Sequence, residues 1–245
     1  MLKMKGVERH KIAAKKLGTI KDKVFRLIKQ NTGKISEYDI QQFILSEFKR
    51  QNLITDKDSP IVGINQNTSK PHYFPPKKSK IIKKNSLILV DIWARLKEKN
   101  SPFADITWIA YSGKNIPKQI RKTFWVVIKA RDIALDFIIK ELKNKNFPKT
   151  ADVDKTVRNY FESLGLKKFF THGTGHSLGV YSCHGRLFNL SRASKKKLKP
   201  NIPFTIEPGL YFKNKFGIRS EINCYITKDY KLIVTGKIQN KIIKI

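Results

Sequence analysis

Acids are scarce in this chain: its 245 residues hold 19 Asp plus Glu against 51 Lys plus Arg. The placement of each carboxylate is therefore informative. Asp91 follows the apolar run SLILV directly. A carboxylate at the end of a buried strand is costly unless a metal or a cation compensates it. Asp105 lies within FADITWIAY, Glu207 between Ile206 and a Pro-Gly turn in PFTIEPGLY, and Glu221 within the alternating segment FGIRSEINCYIT. All four occupy strand or strand-end settings where a solvated surface acid would be out of place. The fifth element is THGTGHSLG, residues 171–179. His172 and His176 stand four apart, the spacing of a helical zinc pair, but Gly173 and Gly175 argue against a helix. In an extended segment His172, Thr174 and His176 share a face, and the glycines let a backbone or a substrate approach closely. His184 follows eight residues after His176.

One imidazole with four carboxylates is a hard, oxygen-rich donor set. Asp91, Asp105, His176, Glu207 and Glu221 are thus expected to hold Mn, Co, Fe or Zn in a paired site rather than a structural tetrahedral zinc. Two ions about 3.5–4 Å apart can share one hydroxide and polarise a carbonyl. The chemistry expected is metal-dependent hydrolysis.

The elements that must position these groups are legible from periodicity. Residues 7–30 carry Ile12, Leu17, Ile20, Val24, Phe25, Leu27 and Ile28 at helical spacing. GKIS at 33–36 interrupts that helix, and Ser36 predicts the N-cap of a second helix from Glu37 to about Gln51. Asp39 adds a capping-box acid, and Ile40, Phe43, Ile44 and Phe48 form an apolar stripe. Residues 59–76 read as a short strand followed by a proline-rich loop. Ser86 to Trp93 and Asp105 to Tyr111 read as strands, and residues 115–145 as a long helical stretch. A further helix is expected over about 152–164, with Asp152 near its start and Gly165 as its C-cap. From residue 169 onward strands and tight turns dominate. Helices first and acid-bearing strands later predict an α+β domain with a largely antiparallel sheet.

Composition bounds the remaining possibilities. A hydrophobic fraction of 40% belongs to a globular chain rather than a disordered one. No apolar run approaches the roughly 18 residues that span a bilayer, so no membrane association is expected. The N-terminal MLKMKGVERHK lacks the apolar core of a signal peptide, and a cytoplasmic location is expected. Two cysteines, Cys183 and Cys224, are too few for a disulfide scaffold and too far apart for a zinc knuckle; two reduced thiols are expected. The net charge of +32 attracts polyanions, RNA among them, without specificity. No aromatic-interleaved RNA-binding motif accompanies it.

The order Asp, Asp, His, Glu, Glu resembles that of the M24 metallopeptidases, the pita-bread fold of methionine aminopeptidase, Xaa-Pro aminopeptidase, prolidase and creatinase. VDIWAR with ADITW resembles the paired-aspartate segment, HGTGHSLG the histidine signature of the Xaa-Pro and prolidase branch, and IEPGLY and IRSEINCYIT the two glutamate segments. The resemblance runs from the first helix to Thr227. It implies a curved, largely antiparallel sheet with helices on its outer face, and metal ligation by Asp91, Asp105, His176, Glu207 and Glu221. It also implies two divalent ions, with Mn foremost among Mn, Co, Fe and Zn. IVGINQNTSKPHY is similar to the branch segment that ends in a substrate-facing histidine, which implies His72. His172, His184 and Arg219 carry over as substrate contacts. His72, His184 and Glu207 carry over as catalytic groups, with Glu207 taking the proton of a bridging hydroxide. The implied activity is removal of an N-terminal residue from peptides at Xaa-Pro bonds. Methionine aminopeptidase, and a non-enzymatic RNA- or ribosome-associated relative, are the alternatives. Residues 1–245 are expected to form one catalytic domain without the N-terminal domain common in the Xaa-Pro branch, and a homodimer is one assembly it allows. The chain departs from the branch at Gly185, which replaces the usual acid, at Trp108, which replaces Arg, and at Ile222 and Asn223 after Glu221. His184 also lies one residue further from His176 than in the common pattern.

Overall fold

The structure is a computed structural model that describes residues 2–245; Met1 of the expected 1–245 domain lies outside the described residues. The first half runs α1 (Leu2–Asn31), α2 (Glu37–Arg50), β1 (Leu53–Ile54), β2 (Ile61–Ile64), β3 (Leu87–Leu96) and β4 (Ala104–Tyr111). The second half opens with α3 (Lys118–Lys143) and α4 (Thr150–Ser163), then β5 (Gly175–Leu178), β6 (His184–Leu190) and β7 (Phe204–Ile206). It closes with β8 (Gly209–Phe212), β9 (Phe216–Arg219), β10 (Ile222–Ile226), β11 (Leu232–Thr235) and β12 (Ile243–Lys244).

α2 begins as its sequence dictates. The Ser36 hydroxyl accepts the Asp39 N–H, and the Asp39 carboxylate accepts the Ser36 N–H, closing a capping box. α4 starts two residues earlier than expected, at Thr150, with Lys149 making no side-chain cap. Gly165 sits one position beyond its C-cap Leu164, in the left-handed region at φ +68°. The α1 stripe keeps Leu17, Ile20, Val24, Phe25 and Ile28 but not Ile12, which is 48% exposed. Ala13 and Ala14, four and three residues before Leu17, continue the buried face in its place.

Two five-stranded sheets organise the molecule. In the first, β1 and β2 both pair with β3, β3 pairs with β4, and β12 joins β4 as its one parallel neighbour. In the second the order is β11-β10-β7-β5-β6, with antiparallel pairing throughout. β8 and β9 form a separate hairpin. β3 and β4 are buried on both faces. Ile88, Val90, Ile92 and Ala94 join Ile106, Trp108 and Ala110 against α1 and α2. Leu87, Leu89, Trp93, Ile109 and Tyr111 join the core shared with α3, α4 and the second sheet. Double coverage is why SLILV reads as a continuous apolar run rather than an alternating one.

Strand alternation then fixes which face each acid takes. The β3–β4 register pairs Asp91 with Thr107 and Trp93 with Asp105. Asp91 and Asp105 are diagonal neighbours on the face that looks toward the second sheet. Trp108, one residue from Thr107, takes the opposite face and lies under the Lys21 ammonium, 3.7 Å from its ring. The departure from the family pattern at position 108 therefore belongs to the α1 interface and not to the acid cluster.

Candidate metal centre

The second sheet supplies the other three groups. His176 lies in β5; Glu207 directly follows β7, and Glu221 directly precedes β10. Both glutamates thus occupy strand ends, although the alternation of FGIRSEINCYIT suggests an unbroken strand through Glu221. β5 runs against β7 at very close range. A Cβ on Gly175 would lie 2.8 Å from the carbonyl carbon of Thr205, so only glycine lets the histidine strand come this near. The backbone N–H of His176 donates to the Thr205 hydroxyl at 3.0 Å. Gly185 is held to glycine in the same way, since a Cβ there would lie 2.8 Å from the Ser177 hydroxyl. An acid does not fit at that position.

The five expected residues converge. Asp105, His176 and Glu221 each bring one ligand atom within 4.8 Å of the others. His176 Nε2 lies 3.8 Å from an Asp105 carboxylate oxygen and 3.5 Å from a Glu207 oxygen. Asp91, Asp105, His176, Glu207 and Glu221 line one cavity of about 410 Å³ together with His72, His172, His184 and Arg219.

The hydrogen-bond inventory tests whether these groups suit metal ions. Buried polar atoms are nearly always paired. Here Asp91 Oδ1, Asp105 Oδ1, His176 Nε2 and Glu221 Oε1 are buried without any partner. His176 Nδ1 lies 3.1 Å from the Ser177 carbonyl, which holds the proton on Nδ1 and leaves a lone pair on Nε2. Burial pushes the Asp105 carboxyl well above the usual range, with the Asp91 and Glu207 charges adding to the effect. Burial, then Asp105 and Glu207, does the same to Glu221. Burial raises Glu207 to about 7 against the opposing pull of Arg219. Burial, then His184, lowers His176 to about 3. Carboxylates forced together out of water and a neutral imidazole with a free lone pair are what divalent cations relieve. The residues present fit such ions.

Around the cluster runs a network that sequence reasoning did not find. The Arg219 guanidinium donates to Asp91 Oδ2, to the Thr107 hydroxyl at 2.9 Å and to the Tyr211 hydroxyl at 3.1 Å. The Thr107 hydroxyl in turn donates to Glu221 Oε2 at 2.7 Å. Tyr211 stands 2.8 Å from His172 Nε2, and His172 Nδ1 lies 2.8 Å from the Gly173 carbonyl. The consistent donor order is Arg219 to Tyr211 to His172 to the Gly173 oxygen, so both ring nitrogens of His172 are engaged by protein. Asn223, where the family favours an acid, accepts the Asp105 N–H at 2.8 Å. The Cys183 thiol donates to Asp105 Oδ2 at 3.1 Å. Both cysteines are free and buried.

The extended reading of THGTGHSLG puts His172, Thr174 and His176 on one face, but only the two histidines line the cavity. β5 begins at Gly175, and Thr174 points away from the cavity, where its N–H and hydroxyl both donate to Asp154 of α4. Arg158, one turn along α4, binds the His172 carbonyl at 2.6 Å. His184 stacks on His176 with ring centroids 3.9 Å apart. His72 stands exposed on the loop that follows β2. That loop is pinned by Glu37, whose buried carboxylate accepts the Ile64 N–H at 2.7 Å, the Asn67 amide at 2.9 Å and the Tyr73 hydroxyl at 2.8 Å. Asp56 ties the turn before β6 to β3, accepting from Trp93 Nε1 at 2.8 Å and from the Cys183 N–H at 2.9 Å.

Comparison with known proteins agrees with the geometry. The family model described as Metallopeptidase family M24 matches residues 8–228. The chain belongs to this family. It is 31% identical over 198 residues to a Mycoplasma genitalium protein named "Putative Xaa-Pro aminopeptidase", covering 80% of this chain and 52% of that relative. The chain thus spans about half the length of the curated relative it matches. Among solved structures it superposes on recombinant prolidase from Thermococcus sibiricus with a TM-score of 0.82 and 26% identity, over 99% of this chain and 61% of that one. It superposes on a dipeptidase from Pyrococcus horikoshii with a TM-score of 0.79 and 25% identity, over 98% and 62%. The architecture is the pita-bread fold of these enzymes. No helix among the described residues is long and apolar enough to cross a membrane.

Proposed function

We propose that this chain is a metal-dependent aminopeptidase that removes the residue preceding a proline from the N-terminus of a peptide, and that residues 1–245 act as one catalytic unit. The observation that carries the reading is the set of four buried, unpartnered donor atoms on Asp91, Asp105, His176 and Glu221. With Glu207 they would hold two divalent ions, Mn foremost, in an oxygen-rich site. Such ions would supply a polarised carbonyl and a water acidic enough to attack near neutral pH.

The remaining steps fall to side chains. Glu207, beside His176 at the cavity wall, takes the proton of the attacking water and delivers it to the departing amine. His184, stacked on His176 at the mouth, and His72 on the opposite loop donate to the developing oxyanion and to the substrate backbone. The Asp91 side of the site takes the free substrate N-terminus. Ile61, Phe74 and Trp93 give the wall its apolar part, a surface suited to a pyrrolidine ring. Arg219 and His172, whose donors are committed to Asp91, Thr107, Tyr211 and Gly173, act by positioning the ligands and the wall rather than by touching substrate.

A peptidase screen with Mn, Co, Fe and Zn in turn, on Ala-Pro-Ala and Met-Ala-Ser peptides, tests this reading. Hydrolysis of the Xaa-Pro peptide with metal, abolished by chelation, is the expected result. Preferential cleavage of the Met-Ala bond would convert the assignment to methionine aminopeptidase. A metal-free preparation that binds RNA and cleaves neither peptide would overturn it.

A further inference from the structure

The cavity wall is electrostatically unlike the rest of the molecule. The chain carries 51 Lys plus Arg, yet among the residues lining the cavity the one permanent cation is Arg219. Its charge is spent within the protein. The guanidinium is paired with Asp91, and its other hydrogen bonds go to Thr107, Tyr211 and the Pro71 carbonyl. Against it stand six carboxylates: the four candidate ligands, and Asp56 and Asp58 on the connection from β1 to β2. Two divalent ions and Arg219 together would supply five positive charges against the six carboxylates, so the wall keeps an excess negative charge, carried on the side of Asp56 and Asp58. Asp56 is held in its anionic form by donors from Trp93, Cys183 and Ser182. Asp58 is exposed and forms no ion pair among the described residues.

A dipeptide brings two charges into such a site. Its ammonium suits an acid-lined wall, while its carboxylate lies one residue from the scissile bond, where the lining offers no permanent cation besides the paired Arg219. Like charges brought together at a binding surface oppose association and exclude the wrong partner. Lengthening the peptide by one residue moves the carboxylate up to about 3.5 Å along the chain, and amidation removes its charge outright. We infer that this pocket selects against a carboxylate next to the cleaved bond, so that its substrates are peptides of three or more residues, or capped dipeptides, and not free dipeptides. This rests on the aminopeptidase reading above and separates two activities that similar proteins bear in their names, aminopeptidase and dipeptidase.

The test compares Ala-Pro, Ala-Pro-amide and Ala-Pro-Ala as substrates of the full chain with Mn, alongside calorimetric titration of the same three ligands into the metal-free protein. The expected result is a kcat/KM for the amide and the tripeptide at least about tenfold above the free dipeptide, carried mainly by KM. Asp58→Lys, which adds a cation to the wall, should narrow that ratio; an unchanged ratio would overturn the assignment of the selection to this wall. Free dipeptide cleaved as well as its amide would overturn the inference while leaving the peptidase reading intact. If none of the three is cleaved but the amide binds about tenfold tighter than the free dipeptide, the peptidase reading falls and the charge selection stands. No cleavage and no binding preference would remove both.

Discussion

Glu207 offers the most direct measurement of the strain the acid cluster imposes on the metal-free protein. Its side chain is 14% exposed, and burial lifts its carboxyl from 4.5 to about 7. An acid whose folded value lies above its unfolded value binds its proton more tightly in the native state. Below pH 4.5 it is protonated in both states and costs nothing. As pH rises toward 7 the unfolded chain ionises first and stability is lost; above 7 the full penalty applies. At about 1.4 kcal/mol per pH unit the rise amounts to roughly 3 kcal/mol. Glu207→Gln keeps the shape and removes the titration. Glu207 also raises Asp105 and Glu221, so the difference between the two proteins reads residue 207 together with the repulsion it exerts on those two acids, which acts in the same direction. The variant should match the parent near pH 4.5 and exceed it by roughly 3 kcal/mol at pH 8, or about 6–12 °C in Tm for a chain of this size. Urea unfolding of chelator-treated protein between pH 4.5 and 8.5 measures it. Saturating Mn should reverse the ranking, because only the parent retains the carboxylate ligand. A difference that is flat in pH, or a parent more stable than the variant at pH 8 without metal, would refute the account of a crowded, buried acid.

Asp105→Ala and His176→Ala should each lower metal-dependent hydrolysis by more than about a hundredfold while circular dichroism stays native; near wild-type turnover in either would end the ligand assignment. Thr107→Val deletes the hydroxyl between Arg219 and Glu221 and should weaken metal affinity by about 10–100-fold, read by metal titration against a chelating dye. Glu37→Ala strips the Ile64 N–H, the Asn67 amide and the Tyr73 hydroxyl of their acceptor. It should cost about 3 kcal/mol in urea unfolding and expose residues 65–80 to limited proteolysis. Unaltered cleavage there would show that the loop is held by other contacts.

The division between what the sequence discloses and what it conceals follows the range of the forces involved. The candidate ligands are legible because each is set by its own strand. Asp91 ends an apolar run that two covered faces make continuous, and alternation alone puts it with Asp105 on one side of the β3–β4 pair. The Ser36 cap is legible for the same reason, since both its partners lie within three residues. Arg219, expected as a substrate contact, instead spends its donors on protein groups, and that outcome depends on partners up to 148 residues away. Thr107 and Glu221 are separated by 114 residues, Asp56 and Cys183 by 127. These bonds exist only once the two sheets close on each other, and a threonine in ADITWIAY or an aspartate in a polar loop carries no local mark of it. Ile12 illustrates the opposite failure. Hydrophobicity alone places it on the buried stripe, but the face that runs through Leu17 continues three and four residues back to Ala14 and Ala13, and Ile12 turns to solvent. Local patterning thus identifies the groups that do chemistry. The groups that hold them at the right distance are defined by the far side of the cleft, and substitutions among those distant partners are where metal affinity and turnover should prove most sensitive beyond the ligands themselves.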